Sequence, residues 1–158
     1  MNAPVEYLLN KACEAEIVGH IWRCNADFVP PLSTRVDIGN YAHKLATNAT
    51  RFEAWWDGTL VGLVGAYCND PITHIAYITH VSLLNAWTGK GIAGRLMNLC
   101  IAHAKDADMR QINLEVAQAN TPAIHLYKKN GFTVRQPRGP FIGMNLCLSR
   151  GEEHEQQT

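Results

Sequence analysis

The hydrophobic positions in the first half of the chain predict two helices followed by paired strands. Between residues 12 and 25 apolar side chains recur every three or four residues, which indicates one buried helical face, and a short strand over 5–10 precedes this helix. A second helix is expected to begin after Asp37, a favourable N-cap residue, and to end near residue 48. Apolar runs on both sides of Asp57-Gly58 predict a β-hairpin, because this dipeptide suits a tight turn between antiparallel strands.

Strands and helices alternate in the second half of the chain. The strand predicted over 72–83 carries four residues on one face by alternation: Ile75, Tyr77, Thr79 and Val81. Further elements are expected in the order helix, strand, helix, strand, strand, at 92–108, 111–116, 121–129, 132–134 and 141–148. The pattern predicts a single domain of the α/β (α+β) class, residues 1–150, built on one mixed sheet, followed by a polar tail at 151–158.

A glycine-rich turn connects the strand over 72–83 to the long helix, with the sequence Thr88-Gly89-Lys90-Gly91-Ile92-Ala93-Gly94. Glycines let backbone N–H groups approach a ligand, and the start of a helix attracts phosphate oxygens. The turn also satisfies the G-x-G-x-x-G pattern of dinucleotide-binding proteins, with Glu115 downstream. In that class the first glycine follows its strand almost directly, whereas here residues 84–88 intervene, so a different phosphate ligand is favoured.

The residues around this turn resemble the GNAT superfamily of acyl-CoA-dependent N-acyltransferases over roughly residues 59–134. Its first signature, Arg/Gln-x-x-Gly-x-Gly/Ala, falls on Thr88, Gly91 and Ala93, and Thr88 replaces the usual long side chain. Its second signature is matched in full by Asn120-x-x-Ala123-x-x-Leu126-Tyr127-x-x-x-Gly131-Phe132. The resemblance implies a mixed, mostly antiparallel central sheet flanked by helices.

The resemblance also implies acetyl-CoA as the acyl donor, with no metal, and assigns residues to its binding. These residues are Val81, Ser82, Leu83, Thr88, Gly89, Lys90, Gly91, Ile92, Ala93, Gly94, Asn120 and Tyr127. Tyr127 is expected to protonate the departing thiolate, and Glu115 to take the proton of the amine. Phe28, Arg35 and Tyr77 are the candidate contacts for the acceptor.

The implied reaction is direct transfer of acetyl to the primary amine of a small molecule, such as an amino sugar or an amino acid derivative. A protein N-terminus or lysine is the alternative acceptor, and a non-catalytic acyl-CoA sensor is a third hypothesis. His80 is another candidate base because its unperturbed pKa is suitable. Strand alternation directs His80 to the face opposite Tyr77, unless a β-bulge intervenes.

Composition narrows the partners and the location. A formal net charge of zero disfavours nucleic acid or an anionic membrane as partner, and no apolar run is long enough to span a bilayer. Five cysteines without a C-x-x-C pair indicate reduced thiols and a cytoplasmic protein. The seven dispersed histidines show no metal-site spacing. The expected partners are therefore acetyl-CoA and an amine, with a homodimer left open.

Overall fold

The computed structural model describes residues 3–148, which form one seven-stranded sheet flanked by four helices. The strands are β1 (Glu6–Leu9), β2 (Thr50–Trp56), β3 (Thr59–Tyr67), β4 (Ile75–Leu83), β5 (Gln111–Ala117), β6 (Thr133–Arg138) and β7 (Phe141–Cys147). The helices are α1 (Glu14–Cys24), α2 (Ile38–Asn48), α3 (Ile92–Asp106) and α4 (Thr121–Lys129). The strand order is β1-β2-β3-β4-β5-β7-β6, and only the β4–β5 pair is parallel.

This architecture confirms the predicted mixed, mostly antiparallel sheet and the predicted order of elements. Strand β4 begins at Ile75, three residues later than the pattern predicts. The delay has a local cause, because the Asp70 carboxylate accepts hydrogen bonds from the backbone N–H groups of Ile72 at 2.9 Å and Thr73 at 3.1 Å. Such a side-chain turn competes with strand pairing. The predicted tail at 151–158 lies outside the described residues.

The two faces of the sheet carry separate hydrophobic layers. On one face α3 packs against β2–β5, with fully buried residues such as Leu96, Met97 and Ile112. On the other face α1 and α2 pack against β2 and β3 through Ile17, Leu45 and their neighbours. None of the helices within residues 3–148 is long and apolar enough to cross a bilayer.

A β-bulge in β4 reverses the alternation of its side chains. Gly65 of β3 pairs with His80, and the next residue of β3, Ala66, pairs with Ile78, so Thr79 is an extra residue in β4. Thr79 and His80 both lie 3.7 Å from the position that a Cβ at Gly65 would occupy, on the α1/α2 face. The prediction that Val81 shares a face with Tyr77 is therefore wrong, since Val81 packs on the α3 face.

The parallel pairing of β4 with β5 covers only the beginning of each strand. Ile75, Ala76 and Tyr77 pair with Gln111, Ile112 and Asn113. Beyond these pairs the two strands separate, although β4 continues to pair with β3 and β5 with β7. An opening is thus left in the middle of the sheet, between Ile78–Leu83 and Leu114–Ala117.

A buried ion pair on strand β2 holds the segment before α1 and the last turn of α2. The Glu53 carboxylate has no exposed area and accepts hydrogen bonds from the backbone N–H groups of Lys11 and Ala12 at 3.0 Å, from Trp55 Nε1 at 2.9 Å and from Arg51 Nε at 3.2 Å. Arg51 donates in turn to the carbonyl oxygens of Ala12, Leu45 and Ala46. The bonds to Lys11 and Ala12 join residues 39 to 42 positions apart, so the network ties the segment before α1 to strand β2.

Replacing Glu53 with alanine should destabilise the fold strongly, because Arg51 and three donors would remain buried without their acceptor. We expect the free energy of unfolding to fall by at least about 3 kcal/mol in urea titrations at pH 7. The matched control is Glu14→Ala, which removes the exposed partner of His43 at 2.8 Å and should cost less than about 1 kcal/mol. Equal losses in the two variants would contradict the structural role of Glu53.

Candidate functional site

The opening between β4 and β5 contains a cavity of about 110 Å³. We call it the central cavity; its polar lining includes Tyr41, Thr79, His80, Glu115, Asn120 and Tyr127. A second cavity of about 220 Å³ continues along β4 past Val81, Ser82 and Leu83 toward α4. Since Val81, Asn120 and Tyr127 border both spaces, the two form one cleft that follows β4 toward the glycine-rich turn.

The backbone of β4 supplies hydrogen-bonding groups to this cleft. The N–H of Leu84 donates to the Val61 carbonyl of β3 at 2.8 Å. Because N–H and C=O directions alternate along a strand, the backbone groups of Ser82 also point to β3, whereas those of Val81 and Leu83 point toward the separated β5. Val81 and Leu83 are thus the residues with backbone donors available to a ligand.

The glycine-rich turn presents open backbone at the start of α3. Gly89 and Gly91 have φ of +79° and +81°, a conformation that glycine adopts without strain. A Cβ placed on Gly89, Gly91 or Gly94 would meet nothing within 4 Å, so solvent or a ligand can reach the chain here. The first amides of α3, at Ile92, Ala93 and Gly94, have no acceptor within the helix and suit an anion.

The remaining residues assigned to the turn have supporting positions. Thr88 ends a short 3-10 turn (Asn85–Trp87), where its hydroxyl donates to the Asn85 carbonyl at 2.9 Å. Lys90 is exposed, and Ile92, the first residue of α3, is buried. The lysine is therefore the turn's own cationic side chain.

Asn120 and Tyr127 come together at the start and in the body of α4. Asn120 caps this helix, because its Oδ1 accepts a hydrogen bond from the Ala123 N–H at 3.3 Å. Tyr127 is 6% exposed, contacts the Phe132 ring and borders both cavities of the cleft. Burial raises the pKa of the Tyr127 hydroxyl, which stays protonated near neutral pH.

Glu115 stands on β5 between the central cavity and a larger groove. The groove has a volume of about 470 Å³ and is lined by strands β4–β7, with Tyr77, Arg135 and Arg138 among its residues. The Glu115 carboxylate lies 3.2 Å from Arg138 Nη1, and its side chain is 36% exposed. Glu115 therefore borders both spaces, and its side chain is partly exposed to solvent.

The candidate acceptor contacts divide into two groups. Phe28 lines the central cavity and packs on His80, with the ring centroids 5.7 Å apart. Arg35 lies beside the cavity, with its guanidinium 5.2 Å from the centre of the Phe141 ring. Tyr77 borders the larger groove instead, and burial raises the pKa of its hydroxyl. Phe28 thus borders the central cavity and Tyr77 the larger groove, and their roles as acceptor contacts stay predictions.

A buried hydrogen-bonded chain beside the cleft was not expected from the sequence. Tyr41 Oη lies 2.9 Å from His80 Nδ1, His80 Nε2 lies 2.7 Å from Ser82 Oγ, and Ser82 Oγ lies 2.8 Å from His20 Nε2. Three of its members, His20, His80 and Ser82, are at most 8% exposed. The bulge at Thr79 turns His80 to the α1/α2 face, and no period-2 pattern could reveal that.

Burial keeps both histidines of this chain neutral. It lowers the pKa of His20 to about 4 and that of His80 to about 3. Neither is a cation at pH 7. His80 therefore does not supply a positive charge to the cleft.

Comparison with known proteins agrees with this geometry. The profile of the acetyltransferase (GNAT) family matches residues 14–132, well over half of the chain. The chain belongs to this family. The resemblance expected from the two sequence signatures is thereby confirmed, and the dinucleotide-binding alternative is not supported.

The relatives of this GNAT chain are named for different acceptors. It is 31% identical over 113 residues to a Bacillus subtilis protein assigned as a ribosomal protein bS18-alanine N-acetyltransferase, an overlap that covers 72% of the chain and 65% of the relative. It is 34% identical over 82 residues to mycothiol acetyltransferase of Corynebacterium glutamicum, covering 51% of the chain and 27% of the relative. The chain thus spans only part of each relative.

Solved structures confirm the GNAT fold. The PaiA N-acetyltransferase of Thermoplasma acidophilum, solved in complex with coenzyme A, superposes with a TM-score of 0.70 over 90% of the chain and 99% of that structure. The sequence identity is 16%, so this likeness shows the fold alone. Within residues 3–148, no group of three or more His, Cys, Asp or Glu side chains is placed to hold a metal ion.

The neutral histidines predict a dependence of stability on pH. The unfolded chain binds protons at His20 and His80 near pH 6.5, whereas the folded chain binds them near pH 4 and 3. Stability is therefore complete above pH 6.5 and is lost as the pH falls below it, by about 2 kcal/mol per histidine at pH 5. Urea titrations from pH 8 to 5 measure this loss.

The His80→Asn variant is the control for the pH dependence. It should show roughly half the loss of stability, because one of the two titrating groups is gone. A wild-type stability that stays constant from pH 6.5 to 5 would contradict the neutral, buried state of these imidazoles.

Proposed function

We propose that this protein transfers the acetyl group of acetyl-CoA to the primary amine of a small molecule, by direct attack within a ternary complex. The observation that carries the proposal is the cleft between β4 and β5. It runs from a central cavity bordered by Glu115 and Tyr127 along the open backbone of Val81 and Leu83. It fits a long thioester with an anionic end at the glycine-rich turn.

Acetyl-CoA can be bound along the whole length of this cleft. The amides of Ile92, Ala93 and Gly94 and the nearby Lys90 suit the pyrophosphate. The free N–H groups of Val81 and Leu83 suit the amide-rich pantetheine arm and can polarise the thioester carbonyl. In the related PaiA enzyme the bound molecule is coenzyme A. Thr88 has too short a side chain to reach far, so the backbone carries most of the anion binding here.

The chemistry requires two proton transfers at the central cavity. An alkyl amine is mostly protonated at pH 7, so a base must remove a proton before the nitrogen attacks. Glu115 has an exposed carboxylate at the cavity and takes this proton. Tyr127, which stays protonated because burial raises the pKa of its hydroxyl, protonates the departing thiolate. No covalent acyl-enzyme is needed, since burial also raises the pKa of the Cys68 and Cys100 thiols.

The acceptor enters from the α1/α2 face. Phe28 and Phe141 give the central cavity apolar walls, while Glu115 and Arg138 give the adjoining groove both signs of charge. This combination suits a small polar amine that carries an anionic or hydroxyl group, and the similarity to mycothiol acetyltransferase favours it. The similarity to the B. subtilis protein favours a protein N-terminus instead, for which the larger groove would hold the following residues.

Calorimetric titration with acetyl-CoA, coenzyme A and NAD tests the cofactor. We expect acetyl-CoA and coenzyme A to bind and NAD not to bind. The Gly94→Glu variant should weaken acetyl-CoA binding at least tenfold, because it places a carboxylate among the amides that hold the pyrophosphate. The fold should tolerate it, since a Cβ at Gly94 meets nothing within 4 Å and an acidic residue suits the first turn of a helix.

The matched control is Gly94→Gln, which adds the same length without the charge. It should bind acetyl-CoA several times more tightly than Gly94→Glu does. Full affinity in a folded Gly94→Glu variant would remove the glycine-rich turn from the cofactor site. Binding of NAD alone would overturn the proposed function.

Glu115→Gln and Tyr127→Phe should separate the two proton transfers. Thiol release from acetyl-CoA is followed with glucosamine, lysine amide, spermidine and a peptide with N-terminal alanine as acceptors. We expect each variant to lower kcat about a hundredfold, with unchanged affinity for acetyl-CoA. Only Glu115→Gln should recover as the pH rises toward 10, because the free amine then forms without a base.

The same assay distinguishes the hypotheses for the acceptor. Turnover of glucosamine or lysine amide favours a small-molecule enzyme, and turnover of the peptide alone favours a protein acetyltransferase. Acetyl-CoA binding without thiol release for any of the four amines would indicate a sensor. An unchanged kcat in Tyr127→Phe would exclude its hydroxyl as the acid.

A further inference from the structure

The buried chain of Tyr41, His80, Ser82 and His20 has one end at the central cavity and the other among α1 and β3. Tyr41 projects from α2 and lines the central cavity together with Glu115 and Tyr127. His20 projects from α1, where its Nδ1 lies 2.9 Å from the Leu60 carbonyl oxygen. The hydrogen bonds therefore connect α2 to β4 and β4 to α1.

The Leu60 carbonyl sets the direction of every hydrogen bond in the chain. A carbonyl oxygen only accepts, so His20 Nδ1 carries the proton, and a neutral His20 then leaves Nε2 as an acceptor. Cys24 Sγ lies 3.7 Å from the same nitrogen, but a thiol is a weak donor, so the Ser82 hydroxyl donates to His20 Nε2 and accepts from His80 Nε2. His80 is neutral as well, so its Nδ1 is an acceptor and takes the proton of the Tyr41 hydroxyl at 2.9 Å.

The direction of these hydrogen bonds decides whether the Tyr41 hydroxyl is a donor or an acceptor toward a ligand. When the Tyr41 hydroxyl donates its proton to His80 Nδ1, its oxygen can only accept hydrogen bonds from other groups. The Thr79 carbonyl, at 3.1 Å, is the competing acceptor for the same proton, and it would be chosen if His80 Nδ1 carried a hydrogen. The hydroxyl is protonated at pH 7, because burial raises its pKa.

We propose that Tyr41 binds the attacking amine, accepting a hydrogen bond from an N–H of the acceptor, and that His80, Ser82 and His20 position its hydroxyl for this role. The inference rests on the proposed function and adds a third group to Glu115 and Tyr127 at the central cavity. Once Glu115 has taken one proton, a primary amine keeps two N–H bonds. Donation of one of them to Tyr41 fixes the direction of the nitrogen lone pair toward the thioester.

This arrangement gives His80 a role other than that of a base. Its Nδ1 is occupied by the Tyr41 hydroxyl and its Nε2 by Ser82, so neither nitrogen faces the amine. His80 acts through Tyr41 and is a positioning residue. Arg35, Tyr67 and Tyr77 act electrostatically on the pKa of Tyr41, and Arg23 acts on the pKa of His20.

Nitrogen NMR of the histidine side chains tests the direction of the chain without any acceptor. In the unmodified protein at pH 7, His20 should be the neutral Nδ1–H tautomer and His80 the neutral Nε2–H tautomer. Long-range nitrogen–proton spectra of protein labelled at histidine distinguish the two forms. A protonated Nδ1 on His80, in either a neutral or a charged ring, would overturn the proposal.

Kinetics with the fastest of the four panel amines test the consequence. Tyr41→Phe should lower kcat/KM for the amine about tenfold without changing the affinity for acetyl-CoA, and Ser82→Ala should lower kcat/KM severalfold. Because Ser82 acts through Tyr41, adding Ser82→Ala to Tyr41→Phe should cause no further loss. Losses that multiply in the double variant would overturn the positioning role.

Two control variants separate this role from packing. Ser82→Thr keeps the hydroxyl and should retain most of the activity that Ser82→Ala loses. Tyr67→Phe removes another hydroxyl near Tyr41, one that makes none of the chain's hydrogen bonds, and should leave kcat/KM within twofold. An equal loss in Tyr67→Phe and Tyr41→Phe would overturn the proposal.

Failure of this inference is distinguishable from failure of the proposed function. If the unmodified protein releases thiol with an amine and Tyr41→Phe does so equally well, only the role of Tyr41 is wrong. If the unmodified protein binds no acetyl-CoA, the proposed function is wrong, and the role of Tyr41 toward an amine is overturned with it.

Discussion

The separation of β4 from β5 is the constraint on which the rest of the site depends. Two parallel strands that pair at Ile75–Tyr77 and then part leave backbone N–H and C=O groups without a partner in the sheet. Their other edges are held by β3 and β7, and the layers under α3 and α1/α2 keep the two halves of the sheet in place. The opening is thus a slot bordered by backbone donors and acceptors, which suits a long amide-rich ligand.

The bulge at Thr79 has the second largest effect, because it decides which side chains border that slot. Without the extra residue, strict alternation would place His80 on the α3 face, inside an apolar layer where an imidazole would lack partners. With it, His80 and Ser82 face α1 and α2 and meet Tyr41 and His20. One inserted residue therefore moves His80 and Ser82 from the hydrophobic layer under α3 to the α1/α2 face.

Local patterns were sufficient to predict most elements and the open glycine-rich turn before α3. The Asp57-Gly58 hairpin, the Pro122 helix start and the positive-φ glycines act through neighbouring residues, so the sequence alone carries their signal. The chain from Tyr41 to His20 depends on contacts between residues up to 62 positions apart, and each member taken singly has an ordinary structural explanation. The same applies to Arg35, whose position over Phe141 depends on where the segment before α2 meets the start of β7.

Ser82 belongs both to the strand that borders the cleft and to the buried hydrogen-bonded chain. Its backbone lies between Val81 and Leu83, whose amides point toward the separated β5, and its side chain joins His80 to His20. A shift of β4 on cofactor binding would therefore move Ser82 Oγ relative to both imidazoles, and through His80 the Tyr41 hydroxyl. Because buried hydrogen bonds weaken steeply with misalignment, a displacement of β4 at Ser82 would weaken the bonds that orient the Tyr41 hydroxyl.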